Sequence, residues 1–145
     1  MIILDASVLY PLAKLSRDRV TTVADRLLRE GATVLDLTLY EVANAAIIEA
    51  RRGVIREPQR LVKAVSRLAE YLSIIRIEAK DLEAISKLAE ELDLTAYDSA
   101  YIHYARKYKA KLLTNDKEIL MKADDVAVSL DAWLRDNKED LKQRP

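Results

Sequence analysis

The sequence contains no cysteine, only two glycines and a single histidine. Because there is no cysteine, disulfides, thiolate zinc sites and cysteine nucleophiles are excluded, and a reducing cytoplasm is the expected location. The glycines are too few for the phosphate-binding loops of P-loop or dinucleotide-binding proteins. No apolar run approaches the roughly 20 residues that span a bilayer, and the N-terminal residues lack the basic start of a signal peptide. We therefore expect a cytoplasmic protein that does not enter a membrane.

The chain also lacks an excess of charge of either sign, since 24 basic residues balance 24 acidic residues. A protein without net charge has no general attraction to a polyanion, so binding to nucleic acid would depend on a local patch or on bound metal ions. Half of the 145 residues are apolar, which is enough for the core of one domain. We expect a single domain over residues 1–135 and a charged C-terminal tail over residues 136–145.

Short apolar runs with strand character alternate with longer segments of helical periodicity. Helical connections join strands that run in parallel, so the pattern predicts an α/β domain with a parallel sheet sandwiched between helices. Such sheets bind ligands outside the carboxyl ends of their strands. The predicted strands are Ile2–Leu4, Thr33–Leu37, Ser73–Ile77, Lys111–Thr114 and Val126–Val128. The predicted helical segments are Val20–Leu28, Leu39–Ala50, Leu61–Leu72, Leu82–Leu92, Tyr97–Tyr108, Lys117–Lys122 and a last one that begins near Leu130.

Acidic residues occur where this sheet would bind a ligand. Asp5 ends the first predicted strand, Glu41 is placed in the first turn of the helix after the second, and Asp116 follows the fourth by two residues. Asp98 opens a helix that runs back toward that fourth strand. Carboxylates crowded together repel one another, and a shared divalent cation relieves the repulsion. Oxygen ligands without cysteine or histidine favour Mg²⁺ or Mn²⁺, and such ions can activate a water against a phosphodiester.

Helix capping is the alternative explanation for each of these acids. Thr38 to Glu41 has the form of a capping box, and Thr95 to Asp98 is close to one. Asp5 and Asp116 could each cap the helix that follows it. The tyrosines spaced along one helix, which could stack on bases, more simply pack against the core or a second subunit; they are Tyr97, Tyr101, Tyr104 and Tyr108.

Three segments together resemble the PIN-domain family. MIILDASVLY resembles the opening strand with its acid and small hydroxyl residue, and LTLYEVANAAIIEARRG resembles the second acidic segment. LTAYDSAYIHYARKYKAKLLTND resembles the C-terminal signature, in which a Tyr-Asp pair opens a helix and a Thr-x-Asp follows the next strand. The similarity runs from Met1 to about Leu130, and at this length it is greatest to VapC-type toxins of toxin–antitoxin pairs.

The resemblance implies a Mg²⁺-dependent endoribonuclease that a co-expressed antitoxin holds inactive. It also implies a homodimer and a three-layer α/β/α fold with a parallel sheet of about five strands. The small hydroxyl positions of the family are matched by Ser7 and Thr114, which would orient carboxylates or a water. Asn115 departs from the commonest pattern. The acidic positions are matched by Asp5, Glu41, Asp98 and Asp116.

Other functions fit the residues less well. A receiver domain needs paired acids after its first strand, whereas Asp5 has no acidic neighbour. A phosphatase with an aspartate nucleophile needs a second acid two residues later, where Ser7 stands. A housekeeping RNA-processing nuclease or a non-catalytic interaction module on the same fold remains an alternative, because a fold alone does not fix a function.

Overall fold

The computed structural model describes residues 1–14 and 17–140. In that part of the chain, five strands form one parallel sheet in the order β3-β2-β1-β4-β5. In register, Leu4 lies beside Val34 on one side and Leu113 on the other. The predicted α/β architecture with a parallel central sheet is confirmed. The strands are β1 (Ile2–Leu4), β2 (Ala32–Leu35), β3 (Ser73–Ile75), β4 (Lys111–Leu113) and β5 (Ala127–Val128).

Helices cover both faces of the sheet. The predicted helical segments all form, and one further helix, α1, follows β1 directly, where only the capping alternative for Asp5 implied one. A single 3-10 turn, Ala79–Asp81, precedes α5. Residues 136–140 of the predicted tail belong to the last helix, and residues 141–145 lie outside the described residues. The helices are α1 (Ala6–Ala13), α2 (Arg17–Arg29), α3 (Asp36–Arg51), α4 (Pro58–Ala69), α5 (Leu82–Leu92), α6 (Ala96–Lys107), α7 (Lys117–Lys122) and α8 (Leu130–Asp140).

Strands β2 and β3 each end two residues earlier than predicted. The reason is Asp36, whose carboxylate accepts the backbone N–H of Leu37 at 2.9 Å and that of Ile77 at 3.3 Å. These bonds satisfy backbone groups outside the sheet ladder and let α3 begin at Asp36. One acid with no predicted partner therefore fixes where two neighbouring strands stop.

The side chains of β1 alternate between two cores, as the pleat of a strand requires. Ile2 and Leu4 pack against the layer of α1, α2, α3, α4 and α8. Ile3 packs against the opposite layer of α5, α6 and α7. All three side chains are buried, and burial of each stabilises the fold by about 1.5–3 kcal/mol. The result is the expected three-layer sandwich.

The order of the strands positions the candidate site. From β1 the chain proceeds to β2 on one side, while β4, far along the sequence, pairs with β1 on the other side. Ligands of parallel sheets bind at such a switch in strand order, outside the carboxyl ends. In residues 1–14 and 17–140, we find no helix with the length and apolar character to traverse a membrane.

Candidate active site

Asp5 lies at the carboxyl end of β1, beside the end of β4. Its backbone N–H donates to the carbonyl of Leu113 at 3.2 Å. Its side chain is 4% exposed, and one oxygen, Oδ1, accepts the backbone N–H of Val8 at 3.1 Å and the hydroxyl of Ser7 at 2.6 Å. Asp5 is therefore the N-cap of α1, as the capping alternative predicted. The cap bonds fall on one oxygen, so capping and cation binding do not exclude each other.

Asp116 and Thr114 occupy the same edge at the end of β4. Thr114 is fully buried, and its hydroxyl oxygen accepts the backbone N–H of Asp116 at 3.0 Å. That hydroxyl also lies 3.4 Å from the hydroxyl of Ser7, so the two predicted hydroxyl positions meet. The Oδ1 atom of Asp116 caps α7 by accepting the N–H groups of Glu118 and Ile119, at 2.8 and 3.0 Å. Asp116 itself is exposed.

Asn115 joins three elements beneath these acids. Pro11 lies inside α1 and has no N–H to give to the carbonyl of Ser7 one turn earlier. The side-chain amide of Asn115 donates to that carbonyl at 3.3 Å, and the backbone N–H of Asn115 donates to the Ser7 hydroxyl at 2.8 Å. Its Oδ1 accepts the N–H of Leu130 at the start of α8, at 3.4 Å. The residue that departs from the family pattern thus supports the β1–α1 junction.

Glu41 lies in the second turn of α3, so its predicted place in a first turn is wrong. The helix begins at Asp36, and the hydroxyl of Thr38 accepts the backbone N–H of Leu35 at 3.1 Å. Thr38 is fully buried inside the first turn. The capping box predicted from Thr38 to Glu41 is therefore absent, because the Thr38 hydroxyl bonds to the preceding residue Leu35 and not to Glu41.

The partner of Glu41 is Tyr101, for which the sequence predicted packing, with base stacking as the alternative. Its hydroxyl donates to Oε2 of Glu41 and lies 2.8 Å from the hydroxyl oxygen of Thr38. The ring is buried, with 1% exposed, so the packing prediction is also correct. Tyr101 lies one helical turn after Asp98, and that spacing was the available signal for a role near the acids.

Asp98 lies in the first turn of α6. Thr95 is the N-cap, and its hydroxyl accepts the N–H of Asp98 at 3.1 Å and donates to Oδ2 of Asp98 at 2.6 Å. The near capping box is confirmed, and Asp98 is half-buried. The tyrosine stripe of α6 is divided, since Tyr97 is exposed and Tyr104 is buried.

The electrostatics link the four acids in a row. Burial raises the pKa of Asp5, and the charge of Asp116 raises it further against the hydrogen bonds of Ser7 and Thr114. Burial also raises the pKa of Glu41, and the charges of Asp5 and Asp98 raise this pKa further. In the described residues, no hydrogen bond or ion pair joins a basic side chain to any of these acids.

The four carboxylates are neighbours without forming a closed cage. Within residues 1–14 and 17–140, no three acidic or imidazole groups lie close enough together to hold one ion as they stand. His103, the single histidine, lies elsewhere, with Nε2 3.6 Å from the carboxylate of Asp81. Joint chelation by the four acids therefore stays a prediction, and the arrangement supports it through shared location and through mutual repulsion.

Residues 2–125 match the family model of the PIN domain. The chain belongs to the PIN domain family. Ribonuclease VapC3 of Pyrobaculum aerophilum is 37% identical over 90 residues, covering 61% of this chain and 68% of that protein. Exonuclease VapC9 of the same organism is 33% identical over 121 residues, covering 83% and 84%. The resemblance read from three sequence segments is confirmed.

Solved PIN-fold structures superpose on nearly the whole chain. The crystal structure of PAE2754 from Pyrobaculum aerophilum gives a TM-score of 0.75 at 26% identity, covering 92% of this chain and 93% of that one. FitAB bound to an IR36 DNA fragment gives 0.61 at 16% identity, covering 89% and 94%. FitAcB from Neisseria gonorrhoeae gives 0.55 at 22% identity, covering 92% and 99%. The last two likenesses concern the fold alone.

Proposed function

We propose that this PIN-domain chain is a metal-dependent endoribonuclease and the toxin of a toxin–antitoxin pair. The observation that carries the proposal is the row of carboxylates at the switch point of the sheet, among them the buried Asp5. No basic side chain among the described residues neutralises it. Relatives named as a ribonuclease and as an exonuclease, both VapC proteins, support a hydrolase that cleaves nucleic acid.

The chemistry of the side chains, which are all carboxylates, suits a hard divalent cation such as Mg²⁺ or Mn²⁺. Such ions prefer carboxylate oxygens, and a buried negative charge without a counter-charge is unfavourable. Cap bonds engage one oxygen each in Asp5 and Asp116, and Tyr101 engages Oε2 of Glu41. The residues that would hold the cation are Asp5, Glu41, Asp98 and Asp116.

Each group of this chain has a distinct task in that mechanism. When bound, a divalent cation neutralises phosphate charge and activates a water for attack on the phosphodiester. Ser7 and Thr114 fix the carboxylate of Asp5, and Tyr101 fixes that of Glu41. The acidic edge by itself would repel the RNA backbone, so RNA binding would depend on the bound cation.

Cleavage of labelled RNA in Mg²⁺ or Mn²⁺, with EDTA as the blank, tests this proposal. We expect Asp98→Asn to abolish cleavage while the protein stays folded. Asp93→Asn is the matched control, because Asp93 is an exposed acid with a positive φ that asparagine also tolerates. Full activity of Asp98→Asn in a preparation free of contaminating nucleases would overturn the proposal.

Exonuclease activity is the second candidate, favoured by the name of one relative. A circular RNA separates the two, because it has no end at which an exonuclease can start. Cleavage of the circle supports an endonuclease, and degradation restricted to linear RNA supports an exonuclease.

The antitoxin partner and the homodimer belong to the same proposal. Exposed apolar side chains, among them Tyr71 at 71% and Ile74 at 50%, are available for such contacts. Light scattering at micromolar concentration is expected to give twice the 16.5 kDa of one chain. Co-purification of a small protein encoded beside this gene would identify a toxin; its absence would favour a housekeeping nuclease. A wild-type protein that cleaves no RNA would favour a non-catalytic module.

A further inference from the structure

Tyr101 joins two helices that carry candidate metal ligands. It lies on α6 one turn after Asp98, on the same side of the helix. Its hydroxyl donates to Oε2 of Glu41. Glu41 belongs to α3, on the opposite face of the sheet from α6. The phenol ring is 1% exposed, so its position is set by the core and not by solvent.

Glu41 needs such a restraint more than the other acids do. Asp5, Asp98 and Asp116 each bond to backbone or hydroxyl groups of their own segment. Glu41 has a longer side chain, lies beyond the capping positions in the second turn of α3, and has Asp5 and Asp98 as like-charged neighbours. Repulsion from these neighbours favours rotamers that turn its carboxylate away from them toward solvent. The bond from Tyr101 opposes that rotation.

The restraint is anchored to the sheet. The Tyr101 hydroxyl lies 2.8 Å from the hydroxyl oxygen of Thr38. That oxygen in turn accepts the backbone N–H of Leu35, the last residue of β2, at 3.1 Å. Thr38 and Leu35 are both fully buried. Two buried hydroxyls, those of Tyr101 and Thr38, therefore connect the Glu41 carboxylate to the end of β2, an interior strand of the sheet.

From this geometry we infer that Tyr101 is a positioning residue that holds Glu41 ready to bind the divalent cation. The inference rests on the proposed function. Tyr101 engages Oε2 and leaves Oε1 of Glu41 to the cation. A ligand already held near its binding position loses less conformational freedom when the metal binds, so its contribution to affinity is larger.

Tyr104 provides a matched control one turn further along α6. It is also fully buried, and its hydroxyl also donates to a carboxylate, that of Asp81, at 2.8 Å. Tyr104→Phe therefore removes a comparable buried hydroxyl from the same helix without touching the four acids. Any effect shared by Tyr101→Phe and Tyr104→Phe is structural.

The experiment measures Mn²⁺ binding by electron paramagnetic resonance, in the absence of RNA, for the wild type and both variants. We expect Tyr101→Phe to weaken Mn²⁺ binding roughly 10–100-fold, the usual effect of removing a group that orients a ligand. Tyr104→Phe should bind as the wild type does. In RNA cleavage, Tyr101→Phe should need more Mn²⁺ for half-maximal rate yet approach the wild-type kcat at saturating metal. Glu41→Gln should not recover at any Mn²⁺ concentration.

Wild-type Mn²⁺ affinity in folded Tyr101→Phe, or an equal loss in both phenylalanine variants, would overturn the inference and leave the proposed function intact. A wild type that binds no Mn²⁺ and cleaves no RNA would overturn both. If Tyr101→Phe fails to fold, Thr38→Val gives the second test, because it removes the hydroxyl that anchors Tyr101. It should weaken Mn²⁺ binding in the same direction, and unchanged binding would count against the inference.

Discussion

Two buried aspartates, Asp5 and Asp81, are treated in opposite ways by the same fold. They are 4% and 9% exposed. The carboxylate of Asp81 accepts from the Lys107 ammonium at 2.7 Å and the Tyr104 hydroxyl at 2.8 Å, and these bonds lower its pKa. Asp5 has only neutral donors and an acidic neighbour, and burial raises its pKa.

The difference separates a structural acid from a candidate functional one. Burial of a charge is tolerated when an opposite charge accompanies it, as Lys107 accompanies Asp81. An acid buried without such a partner destabilises the protein, and perturbed groups of this kind gather at functional sites. Burial alone would not distinguish the two aspartates, whereas the charge of their neighbours does.

The largest expected effect tests whether a bound metal ion supplies the positive charge that the buried Asp5 lacks. At an Mn²⁺ concentration a hundredfold above its dissociation constant, the free energy of unfolding should rise by about 2.7 kcal/mol. Asp5→Asn should remove this gain together with RNA cleavage, while Asp81→Asn should keep it. Thermal or urea unfolding with and without Mn²⁺ measures the gain. A wild type that Mn²⁺ fails to stabilise would break the comparison.

The next effect concerns the Asp81 region and stability alone. Tyr104→Phe removes a hydroxyl that donates to a buried carboxylate, so the free energy of unfolding should fall by about 1–3 kcal/mol. RNA cleavage by the folded variant should match the wild type. Urea denaturation and a cleavage assay give the two readings, and a selective loss of cleavage would mean that the Asp81 region also serves the activity.

The pH dependence of stability sharpens the comparison further. A carboxyl with a lowered pKa in the folded state contributes stability above its unfolded value, about 3.9, and that contribution is lost as the pH falls through the folded value. Wild-type stability should therefore fall below about pH 4 more steeply than that of Asp81→Asn. Urea denaturation across this range in EDTA measures both slopes. Equal slopes would show that Asp81 is not held in its charged form by Lys107.

The smallest effect comes from an ion pair outside both regions. Arg106 binds Asp125 through two bonds of 2.8 and 2.9 Å, but both side chains are well exposed. Arg106→Ala should cost about 0.2–1 kcal/mol, as exposed pairs usually do. Chemical denaturation in low and high salt checks this value. A larger loss of unfolding free energy that does not depend on salt would show that the pair stabilises the protein more than its exposure predicts.

The acidic residues at the carboxyl ends of β1 and β4 were predictable from the sequence because the features that place them there are local. Strand β1 is short and apolar and ends directly in an acid, and β4 is followed by Asp116. Parallel strands place such ends at one edge, so the location of Asp5 and Asp116 followed from connectivity. Thr95 and Asp98 were similarly local, since one turn contains the whole capping box.

Other features depend on contacts between distant residues. Helix α1 is absent from the predicted segments; it contains Pro11, and the amide that donates to the freed carbonyl of Ser7 belongs to the distant Asn115. The start of α3 was misplaced because it depends on Asp36, whose carboxylate accepts the backbone N–H of Ile77, two residues after the end of β3. The partner of Glu41 is 60 residues away. The spacing of Tyr101 from Asp98 placed it near the acids, but no periodic or spacing signal in one sequence pairs it with Glu41, Asp36 with Ile77, or Asn115 with Ser7.

Asp5 and Asp116 each cap a helix and are also candidate metal ligands, which affects how mutations at this edge of the sheet should be interpreted. Each carboxylate accepts backbone N–H groups at the start of one helix. Alanine would therefore delete a helix terminus along with any ligand, and a dead variant would be uninterpretable. Asparagine caps a helix as well as aspartate does but carries no charge. Only that replacement separates loss of chemistry from loss of architecture.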